Sequence, residues 1–135
     1  MNTQTHLQLA QQFLEKMGAN GSPEEMAALC VPDLAWHIPG DASALPWIGE
    51  KRGNQALADF VRHSATLITR DGLDITDILA NDQRAVILGH LRSRVNLTGK
   101  PIDSHFAIVL TFAGDKVASL LMLEDSFAVS VASHA

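Results

Sequence analysis

The stretch from Arg84 to Phe127 reads RAVILGHLRSRVNLTGKPIDSHFAIVLTFAGDKVASLLMLEDSF. It contains three long runs rich in apolar and β-branched residues, 84–97, 102–112 and 117–127, separated by Thr98-Gly99 and Gly114-Asp115. Glycine beside a small polar residue is typical of tight hairpin turns, and strands joined by such turns pair antiparallel. The stretch therefore predicts a three-stranded antiparallel sheet, which favours an α+β fold over a parallel one.

Residues before this stretch predict three helices. Apolar residues recur at three- and four-residue steps over 7–17, which indicates a first amphipathic helix. Ser22-Pro23-Glu24-Glu25 is a typical helix start, with a serine cap, a proline in the first turn and a glutamate three residues after the cap. This second helix carries Cys30 and ends at Pro32, and a third helix begins after Gly53.

Two shorter strands and one long irregular segment complete the pattern. Residues 35–38 predict a short strand that Pro39-Gly40 ends, and residues 72–79 predict a weaker one. The segment from Pro39 to Arg52 is long enough to form a lid. We predict a single domain over residues 1–135: a cone in which three N-terminal helices pack on a curved, mostly antiparallel β-sheet and enclose a cavity.

Composition excludes several classes of function. The chain has 135 residues, a formal net charge of −5 and 47% hydrophobic residues, as expected for one globular domain. An acidic chain without clusters of Lys or Arg is a poor ligand for nucleic acid. Cys30 is the only cysteine, and no apolar run has the length of a membrane helix or a signal peptide. We therefore expect a cytoplasmic protein that binds neither nucleic acid nor membranes.

Several segments have the order and spacing of a known family. They are Phe13 with the helix end Ala19-Asn20-Gly21, then 27–29, Trp36-His37-Ile38-Pro39-Gly40, Pro46-Trp47-Ile48-Gly49 with Arg52-Gly53, and finally 112–117 running to Asp125. Together they extend from Leu7 to Ser126 and resemble the nuclear transport factor 2-like superfamily, particularly its SnoaL-like polyketide cyclases and ketosteroid isomerases. The resemblance implies a ligand cavity and a homodimer.

Comparison with the ketosteroid isomerases argues against their mechanism. Those enzymes use an aspartate base, with a tyrosine and a protonated aspartate as oxyanion donors. By resemblance, Phe13 stands at the tyrosine position, Ile38 at the base and Ile108 at the second donor. Apolar side chains neither move protons nor donate hydrogen bonds, so these three residues are expected to line a ligand site instead. The Arg-x-Asp pattern of the limonene epoxide hydrolases does not occur in the sequence.

Glu124 and Asp125 are the candidate catalytic residues. Neighbouring residues of a strand point to opposite faces, so one of the two should face the cavity. Resemblance to the isomerases turns Met122 and Glu124 inward. The cyclases instead have an acidic base that Asp125 matches, although Leu121 replaces their aromatic residue. Both acids stay open as candidates, because a carboxylate in an apolar cavity has a raised pKa and can act as a base near neutral pH.

Aromatic side chains complete the predicted ligand site. Phe106 lies on the apolar face of its strand, together with Ile108, and this face should pack against the helices. Trp36 shares a face with Ile38, and Trp47 lies in the predicted lid. These five side chains, with Phe13 and Met122, are expected to contact a small hydrophobic ligand.

The opposite face of the same strands is polar. It carries His90, Arg92 and Arg94 on one strand, and Asp103 and His105 on the next. We expect these five residues to lie outside the cavity and to form cross-strand ion pairs at the homodimer interface that the resemblance implies. Two neighbouring arginines disfavour a cation, so no metal site is predicted.

Three functions fit these observations. The leading hypothesis is an enzyme of cyclase or isomerase type that abstracts a proton from a small hydrophobic carbonyl compound. No phosphate-binding glycine loop occurs in the sequence, so no cofactor is predicted. The alternatives are a non-catalytic module that binds an apolar metabolite and a dimeric scaffold with a filled core. Cavity volume separates them, since small-molecule sites typically enclose about 300 Å³ or more.

Overall fold

A computed structural model describes residues 2–18 and 22–135 of the chain. In chain order, the elements are α1 (Thr3–Gly18), α2 (Pro23–Ala27), β1 (Cys30–Ile38), β2 (Gly49–Arg52), α3 (Gln55–Leu67), β3 (Ile68–Ala80), β4 (Arg84–Val95), β5 (Pro101–Ala113), β6 (Lys116–Glu124) and α4 (Ser126–Ser133). None of the described helices is long and apolar enough to cross a membrane.

The strands form one mixed sheet in the order β2-β1-β6-β5-β4-β3. The three strands predicted between residues 84 and 127 are β4, β5 and β6, and they pair antiparallel as predicted. Gly99 and Gly114 in the two turns have φ angles of +72° and +62°, a conformation that glycine adopts without strain. β1 departs from the antiparallel pattern, because it pairs with β6 in parallel.

The core lies between the helices and one face of this sheet. Its largest fully buried side chains come from α1, α2, α3 and three strands: Phe13, Met26, Leu34, Ile38, Leu57, Ile87 and Leu110. Burial of an aliphatic or aromatic side chain of this size contributes about 1.5–3 kcal/mol to the free energy of unfolding. The helices pack only on this face of the sheet. The polar cluster on the other face of β4 and β5 (His90, Arg92, Arg94, Asp103 and His105) therefore lies outside the core.

The second helix is shorter than predicted. Ser22 caps it as expected, accepting a hydrogen bond from the amide of Glu25 at 3.1 Å. The helix nevertheless stops at Ala27, and Cys30 and Pro32 lie in β1 instead. Proline is tolerated there because the pairing with β6 is irregular between Cys30 and Ala35, where no regular ladder hydrogen bond is lost.

A fourth helix corrects both the helix count and the end of the last strand. The run 117–127 was expected to be one strand, but β6 ends at Glu124. The Asp125 side chain accepts a hydrogen bond from the amide of Ala128 at 3.0 Å and so caps α4. Only α1 and α2 precede the first strand, α3 lies between β2 and β3, and α4 follows β6, which corrects the prediction of three helices before the sheet. The family's helix end at residues 19–21 lies outside the described residues.

Candidate functional site

A cavity of about 130 Å³ lies between the inner face of the sheet and the helices. Side chains from all four long strands, α1, α3, α4 and the loop before β2 contribute to its wall. The wall is overwhelmingly apolar. Its polar side chains are Glu124, Arg70 and Ser93.

Four of the residues that the sequence predicted for the ligand site line this cavity. They are Trp47 from the loop before β2, Phe106 and Ile108 from β5, and Met122 from β6. Ile108 pairs directly with Met122 in the sheet, so the two side chains point to the same side. Every second side chain of β5 and β6 points toward the cavity, and this alternation positions Phe106, Ile108 and Met122.

Phe13, Trp36 and Ile38 do not line the cavity, which corrects their predicted contact with ligand. Phe13 and Ile38 are fully buried in the core, and Leu14 faces the cavity from α1 instead. The Trp36 indole lies behind the loop before β2, where its N–H donates to the Trp47 carbonyl at 2.9 Å. Trp36 therefore supports the wall of the cavity without forming part of it.

Phe60 of α3 connects the two tryptophans. Its ring centroid lies 5.8 Å from that of Trp36 and 5.1 Å from that of Trp47, the latter in an edge-to-face arrangement. Such aromatic pairs contribute about 0.5–1.5 kcal/mol beyond their buried area. Together with the indole hydrogen bond, they hold Trp47 against the cavity.

Glu124 faces the cavity at the end of β6. It pairs with Phe106 and follows the inward residues Leu120 and Met122 by alternation. Burial in the apolar wall raises the pKa of the Glu124 carboxyl to about 7, and no hydrogen bond or ion pair with a described residue lowers it again. At neutral pH this carboxyl is therefore present in both protonation states.

Asp125 lies outside the cavity. The residue is exposed, and its carboxylate is engaged as the N-cap of α4. Its amide donates to the Ser104 hydroxyl at 2.9 Å, which anchors the end of β6. Of the two candidate acids, only Glu124 contacts the cavity, and Asp125 has a structural role.

Arg70 and Ser93 are polar wall residues that the sequence did not reveal. They face each other across β3 and β4 on the inner side of the sheet. The strand prediction for this region began at residue 72, because a bulge between Arg70 and Gly72 interrupts the alternation. Arg70 is exposed as a residue, yet its guanidinium is partly buried, and this burial lowers its pKa.

The loop before β2 covers one side of the cavity through Leu45 and Trp47, and hydrogen bonds hold it at two points. Trp36 holds it at Trp47, and the Ser130 hydroxyl of α4 donates to the Asp41 carboxylate at 2.7 Å. Hydrogen bonds from Ser43 and Ser130 lower the pKa of Asp41, because they stabilise the charged carboxylate that accepts them. Loop and α4 thus form one continuous cover.

The polar cluster lies on the outer face of the sheet, where the alternation of β4 and β5 predicted it. His90 contacts the Asp103 carboxylate and lies against His105, with the two ring centroids 4.8 Å apart. Arg92 pairs with Asp74 of β3 at 3.1 Å.

Arg94 pairs with Asp71 of β3 at 2.9 Å and 3.1 Å, so β3 supplies a row of acids that the prediction did not include. Among the residues described, no three His, Cys, Asp or Glu side chains are arranged to hold a metal ion.

Gly89 of β4 forms the part of the sheet on which the Phe106 ring lies. A Cβ at this position would be 2.4 Å from the Asp74 carbonyl oxygen and 2.7 Å from the Phe106 ring. Since the carbonyl belongs to the neighbouring strand, we expect Gly89→Ala to lower the free energy of unfolding by about 1–3 kcal/mol. Denaturant unfolding measures this loss.

Gly72→Ala is the matched control. Its Cβ would meet only the end of the flexible Arg92 side chain, which can move away. The Arg92–Asp74 ion pair is largely exposed and contributes little to stability. Equal stability of the two variants would contradict the role of Gly89.

Comparison with known proteins agrees with this architecture. A family model described as the SnoaL-like domain matches residues 10–120. An NTF2-like protein from Burkholderia xenovorans is 25% identical to this chain, with 99% of each chain covered and a TM-score of 0.85. An NTF2-like protein of unknown function from Burkholderia pseudomallei is 21% identical, with 97% of this chain and 98% of that chain covered and a TM-score of 0.83.

More distant structures share the fold. An LEH-like epoxide hydrolase from M. tuberculosis is 12% identical, with 97% of this chain and 90% of that chain covered and a TM-score of 0.73. Other structures carry names that suggest isomerase or SnoaL-like polyketide cyclase activity. No curated protein sequence matches the chain. Because the family model spans most of its length, this chain belongs to the SnoaL-like domain family and has the NTF2-like fold.

Proposed function

We propose that this protein is an isomerase-type enzyme that needs no cofactor and abstracts a proton from the carbon next to a carbonyl group of a small hydrophobic substrate. Glu124 is the base. The observation that carries the proposal is a single carboxyl group, without a protein partner among the described residues, in the wall of an apolar cavity. Unpaired acids in such a setting are costly, and they concentrate at functional sites.

The chemistry requires only one group that both takes and returns a proton. The Glu124 carboxylate takes the proton, and the C–H electron pair forms an enolate. In a substrate with a C=C bond next to that carbon, the negative charge is shared with a second carbon further along. The protonated acid returns the proton there and the C=C bond shifts, so atoms and electrons balance without a co-reactant. General bases work best when their pKa lies close to the working pH, and a pKa of about 7 meets this condition.

Cavity volume restricts the substrate. At about 130 Å³ it is smaller than most sites for drug-sized molecules, and close to the roughly 150 Å³ of an engineered protein cavity that binds benzene. A single six-membered ring or a short branched chain fits, whereas a multi-ring polyketide or a steroid does not. This volume lies below the roughly 300 Å³ of typical small-molecule sites, so ligand binding, and not cavity volume, has to separate the enzyme from a filled-core scaffold.

Hydrogen exchange at carbon tests the proposal. Small ketones such as cyclohexanone are incubated with protein in deuterated water, and NMR follows the loss of protons next to the carbonyl. We expect wild type to accelerate this exchange and Glu124→Gln to slow it by about 10²–10⁴-fold. Asp125→Asn is the matched control, because asparagine still caps α4. Equal exchange rates for wild type and Glu124→Gln would refute the proposal.

A non-catalytic binding module is the second candidate, and the apolar composition of the wall favours it. The same ketones would then bind and stabilise the protein without carbon exchange. Thermal unfolding with and without ligand, run beside the exchange assay, separates the two functions.

We also propose that the chain forms a homodimer through the outer face of the sheet. The arginines of this face are paired with aspartates of the same chain, so the face presents charges of both signs, and no block of one sign, to a second copy. Apolar residues continue it, including Leu123, which is 46% exposed.

Leu123→Asp would place a charge on this outer face, and we expect it to weaken dimerisation by about tenfold or more in analytical ultracentrifugation. Leu97 is 91% exposed in the turn after β4 and provides the control. Its replacement by Asp should leave association unchanged. A monomeric wild type would rule out the dimer.

A further inference from the structure

Arg70 and Glu124 are the two ionisable residues of the cavity wall, and they do not pair with each other. A cation and an acid that share an apolar cavity attract each other strongly unless the fold keeps them apart. The arrangement of the sheet explains why they stay separate. It also defines where a ligand has to lie.

The register of the strands places the two residues at diagonally opposite corners of the wall. Arg70 pairs with Ser93, whereas Glu124 pairs with Phe106, which in turn pairs with Gly89. Ser93 and Gly89 are four residues apart along β4, or about 13 Å. β3 and β6 are three strands apart, or about 14 Å. Both residues nevertheless line the same cavity, from opposite ends of this diagonal.

Arg70 lies where the cavity meets the surface. Four wall residues, Met17, Phe60, Ile68 and Arg70, also line an open depression of about 450 Å³ beside α2 and α3. Arg70 is exposed toward this depression, whereas Glu124 does not line it. The depression and the cavity therefore adjoin at these four residues, with Arg70 among them and Glu124 in the part of the wall that the depression does not share.

No described residue forms an ion pair with Arg70, in contrast to the arginines of the outer face, which pair with Asp71 and Asp74. A guanidinium binds a carboxylate with two parallel hydrogen bonds, and these gain strength away from bulk water. An anionic group on the ligand would supply the partner that Arg70 lacks.

We propose that Arg70 selects ligands that carry a carboxylate and holds this group at the cavity mouth, so that the apolar remainder reaches Glu124. The inference rests on the function proposed above and makes its substrate a small apolar oxo acid. Arg70 is then a specificity-determining residue, and Glu124 performs the chemistry at the other end of the molecule.

Binding of benzoate and benzamide tests this inference without any turnover. The two probes have nearly the same shape and differ in charge. Titration calorimetry at pH 6, where benzoate is ionised and Glu124 is mostly protonated, should give at least about tenfold tighter binding of benzoate by wild type. Arg70→Met should lose this preference through weaker benzoate binding, with benzamide affinity unchanged within about twofold.

Three further variants keep the outcome interpretable. Arg70→Lys retains the charge and should keep part of the preference. Arg84→Met removes an exposed arginine outside the cavity wall and should change neither affinity. Glu124→Gln should keep the preference for benzoate, so a failed base and a failed carboxylate site give different results. Equal affinity of wild type for both probes, or a preference that survives in Arg70→Met, would overturn the inference.

Discussion

Glu124→Gln is expected to raise the free energy of unfolding at pH 8 by about 3 kcal/mol while it removes catalysis. Burial raises the pKa of this carboxyl to about 7, from an ordinary value of 4.5. At pH 8 the wild-type protein therefore carries a charge in an apolar wall, and the amide of glutamine has nearly the same shape without that charge. A gain in stability combined with a loss of activity is typical of a residue kept for function.

The sign of the pH dependence follows from the raised pKa. Below about pH 4.5 the carboxyl is protonated in both the folded and the unfolded chain, and the folded state has its full stability. Between about pH 4.5 and 7 the folded protein keeps a proton that the unfolded chain releases, so stability falls as the pH rises. Above about pH 7 both states are ionised, and the loss has reached about 3 kcal/mol.

Urea unfolding between pH 4 and 8 measures this dependence. The difference between wild type and Glu124→Gln should grow across the window from pH 4.5 to 7 and then level off. Asp125→Asn should follow the wild-type curve, because that residue is exposed. NMR titration of the Glu124 side-chain carbonyl should show a midpoint near 7. Parallel curves for wild type and Glu124→Gln would show that Glu124 has an ordinary pKa.

Catalytic rate should follow the opposite protonation state. Only the carboxylate accepts a proton, so the exchange rate is expected to rise through about pH 7 and to level off above it. If Glu124 is the base, as proposed, the pH range of highest rate is thus the range in which Glu124 lowers the stability of the protein most. This opposition distinguishes a functional acid from one that is merely buried.

The hairpins of β4, β5 and β6 could be predicted from sequence because two local signals agreed. Side chains alternate regularly along these strands, and the turns contain glycines with positive φ, at Gly99 and Gly114. The same alternation separated the cavity face from the outer polar cluster. It could not decide between Glu124 and Asp125, since that choice depends on where β6 stops and α4 begins.

Elements that depend on distant contacts were harder to predict. Helix α4 is short and contains alternating apolar residues that also suit a strand, and its stability comes from the Asp125 cap and the Ser130–Asp41 hydrogen bond. Arg70 was missed because a bulge in β3 changes which residues face inward. In each case the backbone changes direction at one point, at the start of α4 or at the bulge in β3. The periodicity of apolar residues does not reveal such a change.

The cavity itself shows the same limit. Alternation puts Trp36 and Ile38 on the same face of β1, the resemblance to the isomerases turns that face inward, and both residues are buried. Whether an inward residue meets ligand or protein depends on what packs against it, and here the loop before β2 lies over Trp36. The sequence can therefore predict which face of a strand points inward more readily than which residues of that face line a cavity.

Trp36→Ala is expected to lower the free energy of unfolding by about 3–5 kcal/mol, the usual cost of removing a buried aromatic side chain. Trp36→Phe isolates the part that concerns the cavity. It keeps most of the packing on Phe60 but removes the indole N–H, so the Trp47 carbonyl loses its donor at a cost of about 1–3 kcal/mol. Both variants weaken the attachment of the loop that carries Trp47.

Ligand affinity, measured with cyclohexanone under conditions where each variant is fully folded, tests whether Trp36 acts through Trp47. In Trp36→Phe we expect weaker binding together with lower stability, because the released loop no longer holds Trp47 against the cavity. Trp47→Leu is the comparison, since it alters a side chain that lines the cavity directly. It should weaken binding while Trp36 and its packing on Phe60 remain in place. If Trp36→Phe instead weakened binding with no loss of stability, Trp36 would contact the ligand itself, and the assignment of Trp36 to the supporting layer would be wrong.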